Sequence, residues 1–553
     1  MSSDTPRLSA LPDELVEAIT FYLPPDATLA LGLTCTTLHK IAYEHLVWRR
    51  HCIQGWQYWE AHHEIADKLL QPPAQTKWRH LYNQRRFTDK KALDLFNELL
   101  LTQQKRIERI EEICRLGYDV KDLMLDLCQN TPDSAEDVLA RRYYADVVLG
   151  RIHRATALEK WTRLQERRMV RLEEVLAAYD LFVLSGRKGD LHDIDQELDR
   201  IARAIRAAPD FEHLSTRNKA IEVARYMREQ RLLGNPTEED YHALRNNFIS
   251  LALFEEPHTS LPLQSVAIYC AVARRLGINA RPSNYPSHVH AVIEAPSNQT
   301  LDGREKPRAT AATEHTDEDP DSMMHMDPWR SSEEVPREQL TLRLSQMGAP
   351  PAQHAAHLGP TNNYELALRT GRNIMNSVQD SRERQGRLGR SSSTRTSLPD
   401  VEAAWYGMLW AMMVLGDNNQ AATLHRRRQC LPYLADHFQT HFPEDIGMLE
   451  STLLPMFINE REQEGLLSLV TISREADRNA KAPKRRAAPD GVEKSGPPRV
   501  QFKIGQHFEH KRYGYRAVVV GWDFQCAAEP RWIHQMRVDD LPRGREQPFY
   551  NVM

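Results

Sequence analysis

The seven cysteines, at positions 35, 52, 114, 128, 270, 430 and 526, are the side chains best suited to nucleophilic, redox or metal chemistry. Their spacing excludes most of it. No Cys-x-x-Cys pair occurs, so zinc ribbons and thioredoxin-type redox motifs are not expected. Scattered single cysteines fit a reducing compartment. Cys270 shares the apolar face of a helical segment with Leu263, Val266, Ala267 and Ala273. It lies mid-segment, away from the helix-start N–H groups that would activate a thiolate, and reads as a core residue. His288 and His290, two apart, share one face if their segment is a strand. Without a nucleophile beside them, such imidazoles have acid–base capacity only. Nucleic-acid contact is a further chemistry to weigh. Lys511, Arg512, Arg516, Arg531, Arg537, Arg543 and Arg545 are interleaved with Tyr513, Tyr515 and Trp522. Asp523, Glu529, Asp539, Asp540 and Glu546 offset them, and an electrostatic footprint for nucleic acid is usually more lopsided. The run Lys484-Arg485-Arg486 reads as solvated charge ahead of a nuclear-localisation patch.

The elements that position these residues follow from pattern. The chain has 553 residues, enough for three or so domains, with a net charge of −4 and a pI of about 6.7. A whole-chain attraction to nucleic acid or to an anionic membrane is not indicated. No apolar run approaches the ~20 residues needed to span a bilayer, and the first ten residues lack an apolar signal core. The expectation is a cytoplasmic and/or nuclear protein with no membrane partner. Pro12 suits a helix start, and Leu15, Ile19 and Leu23 recur at i, i+4 and i+8. Leu23-Pro24-Pro25 ends that helix, and Asp26 can cap the next. Trp48, Trp56, Tyr58, Trp59 and Trp78 form an aromatic series too dense for a floppy tether. Helical patterns cover 89–127 and 141–227. A helix over 263–276 stops at Gly277, and 278–294 reads as strands parted by a turn at 282–286. Residues 296–325 and 380–396 are polar and expected to be disordered. Helices return over 401–457. After a linker at 476–499 the pattern turns to β, with strands over 500–508 and 516–522 and another starting at Pro548-Phe549-Tyr550.

Three segments resemble known families. Leu11-Pro12-Asp13-Glu14-Leu15, Ile19, Leu23-Pro24, Cys35, Leu38 and Trp48 together resemble an F-box. That resemblance implies a small helical unit that docks on a Skp-type adaptor, with Leu11, Pro12, Leu15, Ile19, Leu23 and Trp48 as adaptor-binding candidates, some of them packing the unit itself. Ala273-Arg274-Arg275-Leu276-Gly277-Ile278-Asn279-Ala280-Arg281 resembles the end of the catalytic helix and following strand of transglutaminase-like domains. In active members a Cys begins that helix, a His follows on the next strand and an Asp on the strand after. The resemblance puts the His step at His288 or His290 and the Asp step at Asp327. The Cys step falls on Pro262, with Ser260 and Ser265 off register. Leu261-Pro262, 273–277 and Pro286-Ser287-His288 together resemble a cysteine-less branch that includes F-box proteins and bacterial relatives. This implies a binding fold, with His288, His290 and Asp327 kept as a hydrogen-bond set. Finally, 504–523, Trp532-Ile533 and Gln547-Pro548-Phe549-Tyr550 resemble the YccV-like, or hemimethylated-DNA-binding, domain. Tyr513, Gly514, Tyr515, Trp522, Trp532, Phe549 and Tyr550 carry that likeness. Family members continue through another strand pair, so the barrel is expected to be truncated at Met553.

The resulting expectation is a multidomain α+β protein: an N-terminal helical F-box at 8–52, a helical linker region at 53–139, a small transglutaminase-like α+β core at 140–345, a helical region at 346–475, a linker at 476–499, and a small C-terminal β-barrel at 500–553. The function expected is substrate recognition in a Skp–cullin–F-box ubiquitin ligase, without catalysis. The Skp-type adaptor, through it a cullin, and a protein substrate are the partners. No cofactor and no metal ligand set are expected. The alternatives are a DNA-binding regulator acting through 500–553, or a residual transglutaminase- or protease-like enzyme.

Overall fold

A computed structural model describes residues 8, 11–135, 137–184, 186–305, 322–388, 399–416, 420–480, 501–502, 504–511, 513–523, 525–526 and 528–553. Two compact units emerge: Met1–Ile152 with Ile458–Met553, and His153–Phe457. The basic run 484–486, Arg512, and most of the expected 296–325 insert and 476–499 linker lie outside the described residues.

The first unit opens with four short helices: α1 (Asp13–Thr20), α2 (Pro25–Gly32), α3 (Thr36–Ala42) and α4 (His45–Gly55). Val16 of α1 packs with Leu38 and Ile41 of α3 in a small core of its own. Trp48 donates its indole N–H to the Ala42 carbonyl at 2.9 Å, and clusters with Cys52, Trp78 and Leu81. α5 (Ile65–Leu70) and the long α6 (Trp78–Leu101) follow, then α7 (Arg106–Cys114) and α8 (Lys121–Gln129). The aromatic run at 56–63 is pinned between them. The buried Arg85 guanidinium lies under Trp56 and Trp59, at 5.1 and 4.6 Å from the rings, and donates to the Tyr58 carbonyl and to Asp119 at 2.9 and 2.6 Å. Asp122 accepts the backbone N–H groups of Gln57 and Tyr58, both at 3.0 Å. Buried guanidinium and carboxylate groups need such partners, which is why this connection is fixed. Residues of α9 (Val138–Gln165) fall in both units.

The second unit is built on two helices that are apolar nearly all round, the pattern of a buried helix. α10 (Leu172–Val183) is buried at every position but Glu174, followed by α11 (Leu191–Arg206), α12 (Thr216–Glu229) and the short α13 (Ile249–Phe254). α14 (Pro262–Arg275) is buried from Pro262 to Ala273, with Pro262 in its first turn. A four-stranded antiparallel sheet packs on it in the order β1 (Asn279–Pro282), β2 (Ala291–Glu294), β3 (Met323–Met326) and β4 (Glu334–Val335). The stretch expected to be disordered at 296–325 contributes β3 and the fully buried Leu301, because these apolar side chains complete the core over α14. α15 (Arg337–Gln346), α16 (Pro351–Leu358) and α17 (Asn363–Leu388) come next. α17 continues to Leu388, so the expected disorder from 380 is corrected to helix up to there; 389–398 lie outside the described residues. α18 (Val401–Val414), α19 (Gln420–His441) and a short turn of helix, α20 (Ile446–Met448), complete the unit. Arg154, buried, donates to Asp445 and Glu444 at 2.6 to 2.9 Å.

The first unit resumes with α21 (Gln463–Asn479), whose Asp477 carboxylate caps α7 by accepting the N–H groups of Ile107 and Glu108 at 3.0 and 3.1 Å. A three-stranded antiparallel sheet then runs in the order β5 (His507–Glu509), β6 (Arg516–Asp523) and β7 (Phe549–Val552). Between β6 and β7 lies α22 (Pro530–Gln535), where the YccV-like resemblance had implied barrel. The strand expected over 500–508 starts only at His507. Gly505 sits at φ +84 and turns the chain. Ile504 and Trp522, with the half-buried Tyr550, join the core formed by Phe96, Leu99, Ile113 and Val148. The sheet therefore shares its apolar face with helices of the same unit.

Candidate functional site

The sheet of the second unit brings the predicted triad positions together. Ala291 pairs with Met326 across the β2–β3 ladder, so His290 and Asp327, the next residue of each, leave the sheet at the same end. His288 and His290 do not lie on a strand, as their alternation had predicted. They belong to the turn before β2, shaped by Ser287 at φ +66. The turn still aims both rings at one carboxylate. Nε2 of His288 lies 2.8 Å from Oδ2 of Asp327, and Nε2 of His290 lies 4.0 Å from the same oxygen. The other Asp327 oxygen accepts the Arg330 N–H at 3.3 Å. Burial alone would raise the Asp327 carboxyl, but the hydrogen bond from His288 and the surrounding positive groups hold it below its usual range. Burial drives His290 down to about 3 against the attraction of Asp327, so this imidazole is neutral at physiological pH. His290 is 1% exposed and packs edge-on to Tyr285 at 4.8 Å.

Among the described residues no thiol joins this group. The position at which the sequence resemblance expects the nucleophile, Pro262, has neither an N–H nor a reactive side chain. Ser260 and Ser265 bond each other through their hydroxyls at 2.7 Å. Cys270 lies two turns along α14, about 12 Å from Pro262 by helical rise. It is 1% exposed, and burial pushes its thiol up to about 12. Cys270 is a core residue, as its place on the apolar face predicted.

Beside Pro262 opens a cavity of about 470 Å³. Its floor is Leu261, Pro262 and Leu263, one wall is Pro286, Ser287 and Val289, and the opposite wall is α17. Arg369 of that helix donates to the Tyr285 carbonyl and the Asn284 side chain, both at 2.9 Å. Burial, followed by the neighbouring Arg372, holds the Arg369 guanidinium below its ordinary range, with Glu365 opposing. Arg372 and Glu365 pair at 2.9 Å. Sequence reading missed this wall. Its signal was present as Leu366, Ala367, Thr370 and Ile374, buried at helical spacing and turning the opposite, polar side of α17 toward the cavity.

At the N-terminus, α1 carries two adjacent stripes. Val16 and Thr20 face inward. Leu15 and Ile19, one position earlier, are 53% and 37% exposed, and Leu11 is 37% exposed. Pro12 is exposed and Leu23 half-buried. Trp48 is only 1% exposed and belongs to the packing set. The neighbouring Tyr22 and Leu33, 85% and 80% exposed, were not singled out from sequence.

In the C-terminal sheet, Gly514 at φ +65 closes the hairpin between β5 and β6. Tyr513 and Tyr515 on that hairpin are exposed and each stacks on His510, with ring centroids 4.9 Å apart in both pairs. Trp522 is buried, Phe549 and Tyr550 are half-buried, and Trp532 is exposed on α22. The Tyr550 hydroxyl accepts the N–H groups of Gln501 and Phe502 at 2.8 and 3.3 Å.

Comparison with known families finds three matches along the chain. The F-box-like family matches residues 8–54. The transglutaminase-like superfamily matches 192–372, and the family described as "Hemimethylated DNA-binding protein YccV like" matches 500–553. The chain carries these three domains. Among curated proteins, F-box only protein 21 from Pongo abelii, Mus musculus and Homo sapiens is 50% identical over 54 residues, which is 10% of this chain. The match spans 9% of the length of each of those relatives. No solved structure matches significantly.

The transglutaminase-like domain thus includes the first part of α17 and with it the arginine wall of the cavity. Its His288–Asp327 pair can exchange protons, and among the described residues no cysteine joins the His288–His290–Asp327 group. The F-box-like domain presents an apolar stripe that its own core does not use. No helix among the described residues is long and apolar enough to cross a membrane.

Proposed function

We propose that this chain is the substrate-recognition subunit of a Skp–cullin–F-box ubiquitin ligase and performs no bond chemistry of its own. The observation that carries the reading is the exposed stripe of Leu11, Leu15 and Ile19 on a helical unit whose separate core is Val16, Leu38 and Ile41, within the F-box-like match. Contiguous apolar side chains held in water on a folded unit mark a docking surface. The stripe takes a Skp-type adaptor, and through it a cullin. The transglutaminase-like domain offers the protein substrate its 470 Å³ cavity in place of a nucleophile. This assembly works in the cytoplasm and/or nucleus. The test is reconstitution: the purified chain should co-elute with a Skp-type adaptor and support ubiquitin transfer when the cullin module is added. His288→Ala should retain adaptor binding and Leu15→Ala/Ile19→Ala should lose it. The reverse pattern would sink the reading.

One observation favours a second reading, nucleic-acid contact through the YccV-like domain. The exposed His510–Tyr513–Tyr515 stack lies beside Lys511 and offers faces for bases. The Glu509–Arg516 and Asp539–Arg545 pairs consume part of the positive charge. A shift assay on the full chain decides it: binding that weakens steeply with salt and is lost in Tyr513→Ala/Tyr515→Ala supports this reading, and salt-independent or absent binding removes it.

A further inference from the structure

We infer that the transglutaminase-like domain holds a divalent transition-metal ion of the zinc class on His288, His290 and Asp327. The ligand atoms of these three residues all lie within 4.8 Å of one another, in partly to fully buried surroundings. Donors around a tetrahedral zinc, at ~2.0–2.1 Å from the ion, stand about 3.4 Å apart. The two measured spacings, 2.8 Å from His288 to Asp327 and 4.0 Å from His290 to Asp327, bracket that value. Side-chain shifts of well under the length of one bond would equalise them.

The second imidazole is what separates a metal site from a retained proton couple. A couple that only braces the turn needs one His, and His288 fills that role. His290 is 1% exposed, yet among the described residues neither of its ring nitrogens has a hydrogen-bond partner. Buried polar groups in folded proteins are almost always partnered. Nε2 of His290 points toward the shared Asp327 oxygen from just beyond hydrogen-bond reach, the arrangement that an interposed cation completes. The surroundings hold the ligands in place. Oδ1 of Asp327 is occupied by the Arg330 N–H, which leaves Oδ2 for the ion, and Tyr285 and Trp329 pack edge-on to the two imidazoles at 4.8 and 5.6 Å. The Arg330 guanidinium, 3.7 Å from Oδ2, competes for the same oxygen but is half exposed and free to swing into solvent.

Two other clusters have comparable composition and weaker claims. In His62, His63 and Asp119, the carboxylate is already neutralised by the buried Arg85 at 2.6 Å. In Glu402, His437 and His441, the carboxylate pairs with Arg382 at 2.7 Å and His441 is exposed. Three protein ligands leave one coordination position for water or a group of a bound protein.

The test uses the full chain without a histidine tag, stripped with chelator, dialysed against zinc and measured by elemental mass spectrometry, with cobalt substitution as a spectroscopic readout. The expected result is one tightly held ion per chain and an intense visible cobalt band of the tetrahedral type. His290→Ala and Asp327→Asn lose both, while His62→Ala and His441→Ala keep them. Circular dichroism checks that each variant is folded. Cobalt titration of the unaltered chain stands alone if a variant fails that check. A chain that retains no zinc and shows no cobalt band overturns the inference, as does retention in folded His290→Ala or loss in His441→Ala. None of these outcomes depends on the ligase reading, since adaptor binding is not measured.

Discussion

Replacing Leu15 and Ile19 together by alanine should weaken adaptor binding strongly and leave the fold almost untouched. In the free protein 53% of Leu15 and 37% of Ile19 remains in contact with water. Fully burying a Leu or Ile side chain contributes about 1.5–3 kcal/mol, so the part left for a partner to cover is about 0.5–1.5 kcal/mol each. The pair then costs the complex about 1–3 kcal/mol, or roughly a 5- to 150-fold rise in Kd. Neither side chain enters the Val16–Leu38–Ile41 core, so the change in folding stability should stay within about 0.5 kcal/mol. Val16→Ala gives the opposite signature. Val16 is 1% exposed, and truncating it costs about 1–3 kcal/mol of stability while touching no partner. Calorimetric titration with a purified Skp-type adaptor, run beside thermal melts, separates the two. The reasoning is refuted if Leu15→Ala/Ile19→Ala lowers Tm as much as Val16→Ala does, or if its Kd is unchanged. Trp48→Phe belongs with Val16, because its indole is sealed against Ala42, Trp78 and Leu81.

Other outcomes follow from burial and backbone geometry. In the folded protein a maleimide should label the exposed Cys35 and spare Cys270, whose thiol is pushed up to about 12; peptide mass mapping that finds Cys270 labelled at the rate of Cys35 removes its assignment to the core. Burial raises the Asp180 carboxyl from 3.8 to about 7 against the N–H groups of Ser250 and Ile249. A raised carboxyl stabilises the fold below its unfolded pKa, and that contribution is lost as pH rises through about 7. At most about 4 kcal/mol is at stake. Asp180→Asn should therefore flatten the pH 4–7 dependence seen in urea melts, and an unchanged slope would remove Asp180 as its source. Gly505→Ala must force a side chain into φ +84 and within 2.7 Å of the Ala140 nitrogen, whereas Gly514→Ala meets nothing within 4 Å. The first should cost about 2–3 kcal/mol and shift Trp522 fluorescence toward the exposed value, and the second about 1 kcal/mol with no shift; equal effects would contradict the packing of this sheet on its helices.

What was legible in the sequence was whatever depended on a single local period or a single chain-breaking residue. The helix at α14 and its stop at Gly277, the turn between β1 and β2, and the burial of Cys270 all follow from spacing alone. The errors share another origin. His288 and His290 alternate like strand residues, but Ser287 at positive φ places them in a turn, and the convergence of their rings on Asp327 depends on the β2–β3 register. Residues 380–388 are polar enough to read as disordered, yet they extend a helix whose buried stripe begins at Leu366. Likewise the polar stretch at 296–325 contains Leu301 and Met324, which are few but, with Met326 just beyond it, complete the core over α14. Composition averages away such sparse apolar contacts, and it cannot report a partner that arrives from far along the chain. The arginine wall of the cavity, on α17, is legible only once the fold brings 369 and 372 beside Pro262.

The middle domain gathers polar side chains and a cavity near the start of α14. Pro262 occupies the first turn of that helix, where a missing N–H costs nothing and a fixed φ suits the helix. His290 and Asp327 are buried and His288 half-buried, the imidazoles held by Ser283, Tyr285 and Trp329. Burying His and Asp costs free energy that Leu or Met would not, yet the domain places these groups near a cavity of about 470 Å³. Polar burial beside a cavity fits the binding role proposed above. Under that proposal the two tasks of the chain are separated by surface type. The F-box-like stripe is apolar and exposed, suited to a constant partner, whereas the pocket is concave and polar, with Arg369 and Arg372 set against Glu365, suited to telling one ligand from another.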